Sequence, residues 1–142
     1  NLVDKIYYAV VHGNMEAREG RIDLPIGRPS RESIKRMVME DGQRAITHYE
    51  VVESLCSASL VKIKLETGKT HQIRVHMSHI GHPIFGDTLY GDYDDSKLID
   101  RQALHAHILV FNHPRTNERL TIKAELPQDI ISLIEKLKNT AT

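Results

Sequence analysis

The stretch richest in chemistry is Glu66-Thr67-Gly68-Lys69-Thr70-His71-Gln72-Ile73-Arg74. A glycine turn and a polar run are followed by apolar residues at helical spacing, Ile73, Met77 and Ile80. That pattern predicts a strand entering a tight turn and then a helix, with Thr70 as N-cap and Gly81 with Pro83 as the stop. The first turn of such a helix carries free backbone N–H groups and would expose His71, Gln72 and Arg74, which suits an anion or a nucleotide. Arg74 sits between Ile73 and Val75, which can bury its stem, and a guanidinium so placed needs a carboxylate partner. Spacing alone leaves a structural and a catalytic ion pair equally open.

Other signals are weaker. Gly68-Lys69-Thr70 resembles the end of a phosphate-binding loop, but the glycine required five positions before Gly68 is Ile63, so that reading is rejected. His76, His79 and His82, with His71 nearby and His105 and His107 further on, raise a metal site. No HExxH pattern accompanies them, and Cys56 is the single cysteine, so no metal is expected. The basic segment Arg28, Arg31, Lys35, Arg36 and Arg44 can grip phosphates, although Glu32, Glu40 and Asp41 dilute it.

The elements that must position these residues follow from periodicity. Residues 5–11 read as a strand ending at His12-Gly13, and residues 22–26 as a short extended stretch in a polar region. Residues 45–53 alternate with Ala45, Thr47, Tyr49 and Val51 on one side. Residues 59–65 alternate likewise, and the short break around Cys56 predicts an antiparallel hairpin. Residues 82–101 read as loop, residues 103–111 as a strand, and residues 120–124 as its partner across a turn. Pro127 opens a last helix with Ile130, Ile134 and Leu137 on one face. Strands joined mostly as hairpins, with two helices, predict an α+β fold with a mixed, mainly antiparallel sheet and flanking helices. Bulk composition agrees: 142 residues fit one domain, and 40% hydrophobic with 27% charged residues excludes wholesale disorder. Nineteen Lys+Arg balance nineteen Asp+Glu, so charge alone does not announce a nucleic-acid partner. No apolar run approaches the roughly 20 residues that span a bilayer, and a single cysteine with no signal sequence is expected to mean the cytoplasm.

The motifs carry a resemblance. Glu66 to Met77, then Ile80-Gly81-His82-Pro83-Ile84-Phe85-Gly86-Asp87 and Leu89-Tyr90-Gly91, closely resemble the RluA-type RNA pseudouridine synthases. Lys5-Ile6-Tyr7-Tyr8-Ala9, Pro25-Ile26-Gly27-Arg28, Ala45-Ile46-Thr47-His48-Tyr49 and Ala103-Leu104-His105-Ala106 extend it over residues 5–138. The resemblance implies isomerisation of selected uridines in structured RNA, rRNA or tRNA, with no cofactor and no metal. The base is turned out of its stack at a cost of a few kcal/mol, an aspartate assists its loss from the ribose, and it reattaches through carbon 5. Tyr7 matches the tyrosine that packs on the base and helps remove the carbon-5 proton. Arg74 matches the arginine that pairs with the catalytic aspartate. Arg28, Arg31, Arg36, Lys69, His71 and Gln72 are the expected RNA contacts.

One departure is specific. The family's aspartate lies in a G-R-L-D-x-x-T/S-G motif before the tyrosine strand, and the chain begins at Asn1, without an initiator methionine, too late to hold it. Gly20-Arg21-Ile22-Asp23 has similar letters, but it follows Tyr7 and runs into Leu24-Pro25-Ile26-Gly27, so Asp23 is expected to be a loop residue. Residues 1–142 are therefore expected to be the C-terminal portion of a catalytic domain, inactive alone, and with exposed strand edges that favour self-association. The alternatives are a non-catalytic RNA-binding module, which a start codon at Asn1 would favour over an upstream G-R-L-D motif, and a histidine-based metal protein, which elemental analysis decides.

Overall fold

A computed structural model describes residues 4–139; residues 1–3, on which the absent initiator methionine was argued, lie outside it. In chain order the elements are β1 (Asp4–His12), β2 (Glu19–Asp23), β3 (Ile26–Gly27), β4 (Met37–Val38), β5 (Ile46–Leu55), β6 (Ala58–Leu65), α1 (Gln72–His79), β7 (Leu104–Asn112), β8 (Arg119–Lys123) and α2 (Gln128–Asn139). Six strands form one sheet in the order β2-β5-β6-β1-β7-β8, and β3 pairs with β4 in a short ribbon. The sheet is mainly antiparallel as expected, and every strand pair among the described residues is antiparallel.

The β-branched run of β1 occupies the sheet's interior, where both its edges are paired and Ala9, Val10 and Val11 are buried. The alternation in β5 and β6 brings Thr47 opposite Leu65, Tyr49 opposite Ile63 and Val51 opposite Val61, the hairpin register that the period of two predicts. One apolar cluster joins Val10, Val61 and Ile63 of the sheet to Ile73 and Met77 of α1 and to Ile130, Leu133 and Leu137 of α2. Pro127 does open the last helix: its carbonyl accepts the N–H groups of Ile130 and Ile131.

Three expectations are corrected. The extended stretch placed at 22–26 is a strand at Glu19–Asp23, because Pro25 has no N–H to continue a ladder. Gly20 belongs to that strand because the Tyr49 ring lies across it; a Cβ there would come within 2.6 Å of the ring. Thr70 is not the N-cap. That position is His71, in a left-handed conformation (φ 58°, ψ 20°) and without a capping side-chain bond of its own. The segment 82–101 is more ordered than a plain loop. Asp95 Oδ2 accepts the Gly86 N–H at 2.8 Å and meets His12 Nε2 at 2.9 Å, while the His12 ring stacks between Phe85 and Tyr93. No described helix is long and apolar enough to cross a membrane.

Candidate functional site

The end of β6 turns into α1 beside β1, and the three enclose a cleft of about 230 Å³ lined by Tyr7, Leu65, Lys69, His71, Arg74 and Leu104 among others. Tyr7 stands between Ile63 of β6 and Ala106 of β7, next to a register shift between Ile6 and Tyr7. Such irregularities re-aim side chains at sites. Tyr7, Lys69, His71 and Arg74, all singled out from sequence, therefore meet in one place.

Arg74 has a partner within the chain. Its Nε and Nη2 donate to the two oxygens of Asp87 at 3.0 and 2.9 Å, a bidentate pair with side chains 14% and 1% exposed. The carboxylate that the position of Arg74 requires is thus supplied from within the chain. Its remaining nitrogen, Nη1, has no hydrogen-bond partner among the described residues. Burial alone would raise the Asp87 carboxyl, but the Arg74 guanidinium and the Tyr90 and Leu89 amides outweigh it and hold the group below the usual aspartate range. The hydrogen bonds to Asp87 raise Arg74 in turn.

Tyr90, from the same loop, ties this pair to its surroundings. Its ring centre is 5.1 Å from the Arg74 guanidinium and 5.6 Å from the Lys35 ammonium. Its hydroxyl accepts the Arg36 backbone N–H at 2.9 Å and lies 2.6 Å from His71 Nδ1, and its carbonyl accepts the Ser78 hydroxyl. Burial and then the charges of Arg74 and Arg36 push the His71 imidazole below its ordinary pKa, against a smaller opposing effect of Asp87.

Gln72 is not an exposed polar tip. It is 2% exposed, its amide N–H groups donate to the Ile46 carbonyl and Thr47 Oγ1, and its Oε1 accepts from Thr67 Oγ1 and the Lys69 N–H. Gln72 therefore supplies the reach-back bond at the start of α1 and fastens the turn to β5. Q72A is expected to cost about 2 kcal/mol, because buried partners lose their bonds; chemical denaturation measures it, and an unchanged midpoint would refute the assignment.

Arg28, Arg36 and Lys69 line a second, neighbouring cleft of about 430 Å³, which Lys69 shares with the first. Arg28 Nη1 donates to the Arg31 carbonyl and Arg36 Nη1 to the Ile34 carbonyl, so two guanidinium groups are steadied by backbone. Arg31 itself is exposed and lines neither cleft. Asp23 lies on β2, half exposed, 3.3 Å from Arg21, and lines neither cleft. Of the histidines considered as ligands, His76 is buried between Thr47 Oγ1 and the Leu24 carbonyl, and burial lowers its pKa. His82 and His105 meet the His12 and Ala124 carbonyls, and His107 stacks on Tyr8 with its buried Nδ1 unbonded among the described residues. Among the described residues no three metal-ligating side chains cluster.

Sequence reasoning did not assign Asp87 or Tyr90 to the site. The requirement of a carboxylate for Arg74 was the available signal, and Asp87 and Asp92 were both acidic residues beside a glycine in the following loop.

The sequence pattern of the family described as RNA pseudouridylate synthase matches residues 1–79, more than half of the chain. An uncharacterized RNA pseudouridine synthase of Bacillus subtilis, YjbO, is 51% identical over 134 residues, covering 94% of this chain and 47% of that protein. Ribosomal large subunit pseudouridine synthase D of Vibrio parahaemolyticus is 40% identical, covering 96% of this chain and 45% of its own length. The chain thus spans about half the length of the curated relatives it matches. The solved structure of human RNA pseudouridylate synthase domain containing 1 superposes with a TM-score of 0.76 at 28% identity, over 99% of this chain and 66% of that one. On the pattern match across these residues, the chain belongs to the RNA pseudouridylate synthase family, in its RluA-type branch.

Proposed function

We propose that this chain forms the tyrosine-and-arginine side of a pocket in which a uridine, turned out of structured RNA such as rRNA or tRNA, is isomerised to pseudouridine. The observation that carries this reading is the meeting of Tyr7 and Arg74 in one cleft, with Lys69 linking it to the cations Arg28 and Arg36. The Tyr7 ring offers a flat face for a base and a phenol beside it to help remove the carbon-5 proton. Arg74, anchored on two nitrogens by Asp87, keeps Nη1 for the carboxylate of a catalytic aspartate contributed from outside these residues. Lys69, Arg28, Arg36 and the exposed Arg31 would contact phosphates. The reaction breaks the N1 glycosidic bond, forms one at carbon 5 and moves one proton, so it balances without a redox cofactor or a metal. A cytoplasmic setting belongs to the same reading, since its substrates are RNA.

Among the described residues no carboxylate lines the cleft of Tyr7 and Arg74. Glu66 lines an adjoining cleft that shares Tyr7 and Lys69 but is engaged by His48, and Asp87 is taken up by Arg74. The 142-residue chain alone is therefore expected to bind RNA without converting uridine, acting by itself as the binding module. The protein joined to an upstream segment with a G-R-L-D-x-x-T/S-G motif is expected to convert it. Pseudouridine is read by mass spectrometry of digested RNA; turnover by the chain alone would refute the placement of the aspartate. The same preparation is expected to self-associate through the sheet edge at β8, four of whose five residues are exposed. Strictly monomeric elution at high concentration would count against that.

A further inference from the structure

We propose, resting on the uridine reading above, that His71 is the specificity-determining residue of the Tyr7 cleft: its Nε2–H is presented to the carbon-4 oxygen of uracil, and Tyr90 is the positioning residue that fixes its tautomer. The contact of 2.6 Å between Tyr90 Oη and His71 Nδ1 is the key. The phenol oxygen already accepts the Arg36 backbone N–H at 2.9 Å, and we assign its one proton to Nδ1, the acceptor beside it. Nδ1 is then the acceptor and Nε2 carries the ring's single hydrogen. Burial and the nearby charges of Arg74 and Arg36 disfavour a second proton on the ring.

The backbone points the same way. His71 is a non-glycine residue at φ 58°, a conformation that persists when surrounding contacts over-determine it and that clusters at functional positions. The ring lines the cleft that Tyr7 lines, while Nδ1 faces Tyr90. Tyr7 is assigned to carbon 5, and the carbonyl adjacent to carbon 5 is that at carbon 4. Uracil has an oxygen acceptor there and cytosine an amino donor. A fixed N–H donor accepts the first base and opposes the second, and a tautomer free to switch would lose the distinction.

The test compares binding of the full 142-residue chain to single-stranded RNA oligonucleotides with one central uridine, cytidine or abasic site, by fluorescence anisotropy at low salt. Wild type is expected to prefer uridine over cytidine about tenfold, as loss of one buried hydrogen bond implies. H71G removes the ring and suits the left-handed backbone, so it should fold; whatever its overall affinity, its ratio of uridine to cytidine binding should fall to near unity. Long-range proton–nitrogen NMR should show His71 protonated on Nε2 alone, and Y90F should give a mixture of tautomers with a smaller preference. Binding of all three oligonucleotides without preference, an undiminished preference in H71G, or a proton on Nδ1 would overturn the role of His71 and leave the RNA reading standing. Failure of the wild type to bind any of them would remove the RNA reading, and this proposal with it.

Discussion

D87A is expected to lower the unfolding free energy of the chain by about 3–5 kcal/mol, measured by urea denaturation followed by circular dichroism. The cause is less the lost attraction than the guanidinium left behind: the Arg74 side chain is 14% exposed and would keep its charge without a counter-charge. The Leu89 and Tyr90 amides would lose their acceptor as well, which loosens the loop that carries Tyr90. If this account holds, R74M in the D87A background should recover much of the loss, because the double variant has neither stranded charge. D87A with wild-type stability would sink the argument. The pH dependence has a definite sign. The Asp87 carboxyl is held below its unfolded value near about 3.9, so between the two values the unfolded chain binds more protons and stability rises with pH. The contribution is complete above about pH 4 and disappears as the pH falls through the folded value. D87N should therefore show a flatter stability profile below about pH 4 than the wild type. Asp94 and Asp129 are also depressed, by Ser96 and by Arg101, but they are exposed and remain in both proteins, so the difference between the two profiles isolates Asp87.

The same pair shows how far a sequence can be read. The hairpin of β5 and β6 was legible because a period of two determines which residues face each other, and Tyr49 opposite Ile63 follows from it. That Arg74 needs a carboxylate was legible from its apolar neighbours; that Asp87 supplies it was not, since the bond depends on a loop folding back on the helix that precedes it. That loop is ordered by contacts distant in sequence, the His12 ring between Phe85 and Tyr93 and the Asp95 carboxylate against His12 Nε2, and neither has a periodic signature. Gln72 was misplaced for a related reason. Polar residues at a helix start usually face solvent, and only the left-handed turn at His71 sends this one inward to Thr47, Thr67 and the Lys69 amide. The motif letters singled out residues that the fold brings to one cleft, Tyr7, Lys69, His71 and Arg74, while the contacts that build that cleft came from tertiary structure.

Gly86 is where these contacts are most exposed to a single change. Its φ is 78°, and a Cβ would stand 2.0 Å from the Arg101 carbonyl oxygen and 2.7 Å from its carbon, both backbone atoms held by the strand that follows. G86A is expected to cost about 3–4 kcal/mol, since neither the conformation nor the space admits a methyl group. Gly81 provides the control: its φ is 91°, yet nothing lies within 4 Å of its Cβ position. G81A should then pay only the left-handed backbone term, about 1–2 kcal/mol. The difference between the two variants measures the close approach of residues 86 and 101 rather than glycine's general freedom. It also reaches the site, because the Gly86 N–H bonds to Asp95 and the next residue is Asp87. Displacing Gly86 moves the carboxylate away from Arg74 and should shift the Arg74 Nε–H resonance, which G81A leaves in place. Equal costs for the two variants, or an unmoved Arg74 signal in folded G86A, would mean that the 86–101 loop adjusts freely and that Asp87 is not held by it.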